Sequence, residues 1–218
     1  MADNVRKYGF RWWSGNTSTS PTIVPMTVAT SQDHQDDTST SVLIREGDPL
    51  KLVSTGGVNI SLTANGTYGI AMGFGPVWDG SKMAYRRTFP NTHAWGTNES
   101  RRPWVQVGLA KSGIWEIDVD DATTATTYAG YIALINENCD HVVPGHATID
   151  PVGRVADPRL DISTHHTSTY RGWRVVGISS TVENKDFSGA NVKLLVVVNE
   201  SQEAGAVIGD GTYTVAGV

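Results

Sequence analysis

The sequence predicts an all-β protein, an antiparallel β barrel or jelly-roll-like sandwich with long loops and an extended N-terminal arm. Between residues 45 and 74, apolar and polar residues alternate in three short runs, which are separated by Gly56-Gly57 and Asn65-Gly66. Alternation with a period of two, bounded by Gly-rich turns, is typical of an antiparallel meander. The same alternation recurs after residue 104, and no segment has a clear helical periodicity.

The length of 218 residues suits one large β domain or two small ones. We expect an arm at residues 1–20 and a β domain at residues 21–218, which could divide into two β modules near residues 75–103. The net charge of −5 argues against a protein that coats nucleic acid, and the single cysteine excludes an intramolecular disulfide framework. No apolar run approaches the roughly 20 residues that span a bilayer. The first residues lack a signal-peptide core, so we expect synthesis in a reducing host cytoplasm.

Basic and aromatic residues are interleaved near the N-terminus, where so much aromatic surface would be costly to leave in water. One interpretation is a first strand in the chain's own core. Another is an arm that docks on a neighbouring subunit, because Trp, Tyr and Arg are enriched at interface hot spots. A third is an arm that stacks on nucleic acid. The candidate contact residues are Arg6, Tyr8, Phe10, Arg11, Trp12 and Trp13.

Two segments follow the arm. Residues 22–30 predict an extended segment, and Pro25 within it suits an edge strand or a bend. Residues 31–41 predict a polar loop. Its acidic residues and histidine could hold a cation, but their spacing matches no calcium-binding loop, so we expect a solvated loop. These residues are Asp33, His34, Asp36 and Asp37.

A long irregular stretch at residues 75–103 is rich in arginine and aromatic residues. Loops of this length inside a domain are usually functional or disordered, and the aromatic residues argue against simple disorder. Either the loop contacts an acidic partner surface, or it folds over the sheet with its arginines in water. The candidate contact residues are Tyr85, Arg86, Arg87, Trp95, Arg101 and Arg102.

Residues 104–120 predict two strands around a turn at residues 111–113. In the second strand Trp115, Ile117 and Val119 alternate with acidic residues, so that one face should meet solvent or a basic partner. The acidic residues of this strand are Glu116, Asp118 and Asp120. A metal site is one interpretation for three aspartates, Asp118, Asp120 and Asp121. The outer face of a strand that runs into a turn is the interpretation we favour.

Residues 128–135 predict a buried strand, and residues 150–172 a loop. Residues 173–179 and 192–198 predict two further strands, the second of them central because it is apolar on both faces. The tail, residues 206–218, could add one short strand. Cys139, His141 and His146 suggest a zinc site, but the fourth ligand would have to come from His165 or His166. A buried cysteine with two loop histidines is the alternative, and no cofactor is expected.

The known catalytic motifs that carry nucleophiles, phosphate loops, dinucleotide sites or zinc-protease helices are absent from the sequence. We find no pair of carboxylates that could be assigned as general acid and base. The sequence therefore does not predict an enzyme.

The segment EGDPLKL at residues 46–52, the polar hairpin at residues 56–65 and the segment TYGIAMGF at residues 67–74 resemble the head decoration, or cement, proteins of tailed bacteriophages. The later segments GWRVVGIS and VKLLVVVN resemble the closing strands of the small β barrels in those proteins. The resemblance implies a non-catalytic virion protein on the capsid exterior, commonly a homotrimer. Such a protein binds and cements neighbouring major capsid protein subunits. Here we expect residues 6–13 to reach a neighbouring subunit and residues 85–104 to contribute to the capsid contact.

Two other classes remain open. One is a tail or fibre component of a virion. The other is a carbohydrate-binding β module, in which Trp78, Trp95 and Trp104 would be stacking platforms. A membrane partner is not expected from this sequence, and nucleic acid is unlikely as a partner.

Overall fold

Two antiparallel sheets dominate the protein, as seen in a computed structural model. The structure describes residues 9–15, 20–28, 44–52, 57–61, 66–75, 77–78, 83–84, 104–120, 123–143, 158–167, 171–181, 186–188, 192–199, 207–208 and 212–213. The six-stranded sheet has the order β1 (Arg11–Gly15), β9 (Gly113–Asp118), β13 (Lys193–Val198), β12 (Trp173–Ile178), β10 (Asn138–Val142) and β11 (Arg159–His166). The five-stranded sheet has the order β2 (Ile23–Thr27), β8 (Trp104–Leu109), β5 (Gly69–Phe74), β3 (Pro49–Leu52) and β4 (Val58–Ile60).

The predicted all-β class is confirmed, and the arrangement is consistent with a sandwich. The predicted barrel is not closed, because both sheets have edge strands. A single parallel bridge between Val28 and Val58 joins the two ends of the five-stranded sheet. Each sheet takes strands from both sides of residues 75–103, since β1 pairs with β9 and β2 pairs with β8.

The three strands predicted at residues 45–74 are present as β3, β4 and β5, but their order is not that of the predicted meander, because β3 lies between β4 and β5 in the sheet. Leu50 lies opposite Ile60 in one ladder and opposite Gly69 in the other. At Gly69 a Cβ atom would lie 2.3 Å from Cγ1 of Val107 and 2.6 Å from the carbonyl oxygen of Gly108. Because Gly69 has no side chain, the backbone and Val107 of β8 can lie this close to it.

The buried apolar residues form two hydrophobic cores, of which the first takes residues from both sheets. The first lies on the inner face of the six-stranded sheet, where Trp12 meets Trp115 edge to face at 5.3 Å. The second core is formed by residues in and beside the strands of the five-stranded sheet and includes Leu50, Val58 and Val107. Strand β5 serves both, because Ile70 belongs to the first core and the next residue, Ala71, to the second.

The prediction of a strand at residues 128–135 is wrong, since a short helix, α1 (Tyr128–Ala133), occupies this position. The side-chain oxygen of Thr127 accepts a hydrogen bond from the N–H of Gly130 at 3.2 Å. Such a cap satisfies a donor that the first turn of a helix leaves open. Tyr131 is fully buried in the first core. The apolar run is therefore one side of a helix that packs on the sheet.

Other segments differ in detail from the sequence predictions. Residues 150–172 were predicted to be a loop, yet they contain β11, in which Leu160 and Ile162 point into the core. The stretch at residues 75–103 contains a short hairpin of β6 (Val77–Trp78) and β7 (Met83–Ala84). The tail forms a second hairpin, of β14 (Val207–Ile208) and β15 (Thr212–Tyr213).

The remaining strand predictions are confirmed. Strand β2 is an edge strand that contains Pro25, and β13 is central, between β9 and β12. Strands β8 and β9 are both present, but they belong to different sheets. A 3-10 helix, Ala110–Ser112, carries the chain from one sheet to the other where the sequence predicted a turn.

Candidate interaction surface

The outer face of the six-stranded sheet is charged, because polar residues alternate with core residues along each strand. In β9, Glu116 and Asp118 point away from the core that holds Trp115 and Ile117. The ladder places Lys193 of β13 directly opposite Asp118. Side chains on directly paired residues share one face of a sheet, so the ionisable groups of neighbouring strands meet here.

Glu116 is the most completely engaged of these groups. Arg11 lies opposite it in β1, and donates to its Oε2 from Nε at 3.0 Å and also from NH2. The other oxygen, Oε1, accepts a hydrogen bond from Oγ of Ser179 at 2.5 Å. Only 3% of the Glu116 side chain is exposed, against 37% for Arg11. A buried carboxylate needs such partners to offset its lost hydration.

Asp118 and Lys193 form a buried ion pair, with 3.7 Å between Nζ and Oδ1. Burial raises the pKa of Asp118 above its usual range, and the positive charges of Lys193 and Arg159 oppose that rise. The desolvation of a carboxylate thus outweighs the attraction of its cation at this position.

A second pair lies toward the other edge of the sheet. Arg171 donates from NH1 to Oδ2 of Asp140, and Arg174 donates from Nε to Oδ1 of Asn138 at 3.1 Å. Burial raises the pKa of Asp140, while Arg171 opposes the rise. Asp161 faces Asp140 across the ladder, and its negative charge also raises the pKa of Asp140.

The cations are the outer layer of this arrangement. The carboxylates of Glu116 and Asp140 are buried, whereas Arg11 and Arg171 remain about one-third exposed and Arg174 is exposed. Aliphatic side chains lie between the two edges, along β12 and β13. They are Val176, which is 37% exposed, with the half-buried Leu195 and Val197. We call these three residues and Arg11, Arg171 and Arg174 the arginine face.

Such a face can bind, because it combines apolar contact area with guanidinium groups whose orientation is fixed by ion pairs at Arg11 and Arg171 and by a hydrogen bond to Asn138 at Arg174. Arginine is enriched at protein interfaces for this reason, and its planar fork suits carboxylates on a partner. Holding each arginine in place before contact reduces the conformational entropy that binding would cost.

The structure places four of the predicted contact residues in the chain's own fold. Phe10 is buried and stacks on Trp173, with 4.2 Å between the ring centroids. Arg11 and Trp12 lie in or beside β1, whereas Trp13 is 37% exposed at a bulge. For these residues the structure corresponds to a first strand of the chain's own sheet. The other predicted contact residues, Arg6, Tyr8, Tyr85, Arg86, Arg87, Trp95, Arg101 and Arg102, lie outside the described residues.

The candidate zinc ligands are not brought together where the structure describes them. Cys139 is fully buried, and burial raises the pKa of its thiol to about 12. His141 lies in β10, not in the predicted loop, and both of its ring nitrogens are hydrogen bonded. His146 lies outside the described residues, as do Asp33, His34, Asp36, Asp37 and Asp121. Within the described ranges, no three His, Cys, Asp or Glu side chains lie close enough to share a metal ion.

Of the six residues of the arginine face, only Arg11 was among the contact residues predicted from the sequence. The alternation in β9 indicated an acidic face that should meet solvent or a basic partner, and the structure supplies Arg11 and Lys193 of the same chain as partners. Arg171, Arg174 and Val176 were not predicted as site residues. Alternation in β12 does mark Arg174 and Val176 as outward-facing. The sequence of one strand does not show which strands it pairs with, so the other residues of the face could not be predicted from it.

The described residues define an all-β protein with a charged sheet face. Comparisons with family models, with curated proteins and with solved structures found nothing that matches this chain. Among the described residues, no helix has the length and apolar character needed to cross a membrane.

Proposed function

We propose that the protein is a non-catalytic structural component of a bacteriophage virion, which binds the outer surface of the capsid and cements neighbouring major capsid protein subunits. The resemblance of residues 46–52 and 67–74 to head decoration proteins supports this proposal. The proposal places the protein on the capsid exterior as a homotrimer, in contact with capsid subunits and without a cofactor.

The arginine face is the observation that carries the proposal furthest. Val176, Leu195 and Val197 give a strip of apolar area on β12 and β13, with Arg174 on β12 opposite Val197 and Arg11 on β1, beyond β9. A sheet face of this kind suits a broad, acidic protein surface better than a small ligand, because its groups are spread over several strands. In this proposal the partner surface is acidic and belongs to the capsid shell.

Part of the N-terminal segment is available for this proposed contact. Phe10 is buried in the chain's own core and Trp12 packs partly against it, so the proposal assigns the contact with a neighbour to Trp13 and Arg11 among the described residues of this segment. Arg6, Tyr8 and the basic loop at residues 85–102 remain proposed contacts between subunits or with the capsid.

Co-sedimentation with capsids assembled from the major capsid protein of the same genome tests the proposal. Wild-type protein should pellet with capsids in a saturable, stoichiometric manner. Val176→Glu places a carboxylate in the centre of the arginine face and should weaken binding at least tenfold. Gln106→Glu, an exposed change on the five-stranded sheet, is the matched control and should bind as wild type does. Failure of the wild-type protein to bind would overturn the capsid function, whereas equal binding of all three would overturn only the choice of face.

Light scattering measures the proposed oligomer. A stable trimer supports the decoration-protein proposal. A monomer at the concentration where capsids are bound would contradict the trimer but not the attachment.

A carbohydrate-binding function is the second candidate, and it has one specific observation in its favour. Trp104 is partly exposed, and its indole lies so close to Gly75 that a Cβ on that glycine would be 2.1 Å from the ring. A flat aromatic ring backed by glycine can stack on a sugar. Binding to a glycan array that is lost in Trp104→Ala would favour this function over capsid attachment.

A further inference from the structure

One histidine connects the two sheets through both of its ring nitrogens. His141 lies in β10 of the six-stranded sheet, and its Nε2 is 2.8 Å from the carbonyl oxygen of Ser61. Ser61 directly follows β4, and its own N–H donates to the carbonyl of Pro49 in β3. The hydrogen bond from His141 therefore ends in the backbone of the five-stranded sheet.

The second nitrogen fixes the protonation state. Nδ1 of His141 lies 3.2 Å from Nε1 of Trp173, in β12. An indole N–H can only donate, so Nδ1 must be the acceptor and the proton of the neutral ring must be on Nε2. That proton is then donated to Ser61. The indole of Trp173 requires the neutral ring, because it needs an acceptor at Nδ1, whereas the carbonyl of Ser61 accepts from Nε2 in either protonation state.

Aromatic side chains enclose this pair of hydrogen bonds. Phe10 stacks on Trp173 and meets the edge of His141, with 6.1 Å between the latter ring centroids. The backbone N–H of Phe10 donates to the carbonyl of Gly47, in the turn before β3. His141 itself is 2% exposed. The N-terminal segment and both sheets thus converge on a single imidazole.

Charged groups on the surrounding strands are engaged elsewhere. On β10, Asp140 bonds to Arg171 on the opposite face of the sheet. On β12, Arg174 lies on that same opposite face and bonds to Asn138. On β11, Asp161 is paired with Asp140 across the ladder, and its Oδ1 accepts from Ser163.

The segment that precedes β3 contributes a second acidic group. Asp48 is buried, and its Oδ2 accepts a hydrogen bond from the N–H of Arg45 at 2.7 Å. On β11, Arg159 lies opposite Val142, whose side chain shares the outer face of the sheet. The imidazole is therefore held by neutral partners, a carbonyl and an indole.

We propose that His141 is an acid-sensitive joint between the two sheets. Protonation of Nδ1 places an N–H against the indole N–H of Trp173, and the hydrogen bond between His141 and Trp173 must then break. The charged imidazole needs hydration, which its enclosed position does not provide. The contact of Phe10, Trp173 and Ser61 then loosens, while the strand ladders within each sheet persist. This device is independent of capsid binding, because none of its residues belongs to the arginine face.

The experiment has two readouts that use the full chain. Nitrogen-15 NMR of histidine-labelled protein near pH 7 should show a neutral His141 with the proton on Nε2. Near-ultraviolet circular dichroism, which reports the packing of Trp173, should then be followed from pH 7 to pH 3.5. The near-ultraviolet signal should fall with a midpoint near pH 4, in step with protonation of His141.

Two variants distinguish the effect of protonating His141 from the effects of protonating other groups. His141→Gln retains a donor and an acceptor but cannot gain a proton, and its transition should disappear or move by more than one pH unit. His165→Gln changes an exposed histidine and should behave as wild type does. An unchanged midpoint in His141→Gln would overturn the proposal. If His141→Gln does not fold, the wild-type NMR titration decides: a ring that stays neutral throughout the near-ultraviolet transition contradicts the joint.

Discussion

Arg11 in β1 and Glu116 in β9 lie directly opposite each other, and the guanidinium of the first covers the buried carboxylate of the second. The pair ties an edge strand to the interior of the sheet. Arg11 is partly exposed and Glu116 is buried, so replacing Arg11 and replacing Glu116 should have different effects on stability. Among the described residues, removing the arginine leaves Ser179 as the hydrogen-bond donor to a buried anion.

Replacement of Arg11 tests this dependence. Arg11→Met keeps much of the apolar stem but removes the charge, and should lower the free energy of unfolding by about 1–3 kcal/mol, as expected for a buried charge that loses a hydrogen-bonding partner. Urea denaturation at pH 7 measures the loss. Arg174→Met is the control, because Arg174 bonds to a neutral amide, and its loss should be smaller. Equal losses would contradict the special role of Glu116.

Removal of Lys193 leaves Asp118 buried without its ion-pair partner. Lys193→Met should cost about 2–4 kcal/mol at pH 7, because one charge of a buried pair is then uncompensated. The pKa of Asp118 is already raised by burial and should rise further. The loss should therefore shrink as the pH falls and the carboxyl becomes neutral. A loss that is the same at pH 7 and pH 4 would show that packing, not charge, accounts for it.

Glycine positions in β5 differ sharply in the room they leave. Gly69→Ala would bring a Cβ within 2.6 Å of the Gly108 carbonyl oxygen, a backbone atom that cannot move aside without disturbing β8. We expect a loss of about 2–3 kcal/mol from overpacking. Gly73→Ala, on the same strand, meets only the end of Gln106 at 3.5 Å and should be tolerated. Thermal denaturation of both variants checks the difference, and similar melting temperatures would contradict it.

The thiol of Cys139 should be unreactive in the native protein. It is fully buried, and burial raises its pKa to about 12, so the thiolate that attacks disulfide reagents is nearly absent at pH 8. Reaction with an aromatic disulfide should therefore be slow until urea unfolds the chain. Fast labelling without denaturant would show that the core around β10 opens readily.

Stability should fall in mild acid because of His141. Burial lowers its pKa from 6.5 to about 4, so the unfolded state binds a proton more readily than the folded state between these values. The stability is complete above pH 6.5 and decreases as the pH falls toward 4, by about 3 kcal/mol in total at about 1.4 kcal/mol per pH unit. Urea midpoints at pH 7 and pH 4.5 measure the decrease. It should be much smaller in His141→Gln, and an equal decrease would assign it to other groups.

The sequence predicted those strands in which the alternation is strict. Strands β3, β4 and β5 have Gly-rich turns and a clean period of two, and all three are present, although β3 and not β4 lies in the middle. Helix α1 was missed because YAGYIA is a short apolar run, for which a buried strand and a helix have the same pattern. The signal that distinguishes them is Thr127, whose side chain caps the first turn.

The candidate surface was harder to predict because it depends on pairing between distant strands. Glu116 and Asp118 marked an outward face, but the partners Arg11 and Lys193 lie on β1 and β13. Strand β11 was missed because only Leu160 and Ile162 point inward among polar neighbours. Alternation within a strand fixes which side chains share a face, whereas strand order decides which charges meet.

The separation of Arg11 and Glu116 by 105 residues has a consequence for how the chain folds during synthesis. The N-terminal segment leaves the ribosome long before β9 exists, and Phe10 stacks on Trp173, which is made later still. Pairings this remote in sequence are slow to form, and aromatic side chains that await them are prone to aggregate. Nascent protein should therefore depend on a holding chaperone until Trp173 has emerged.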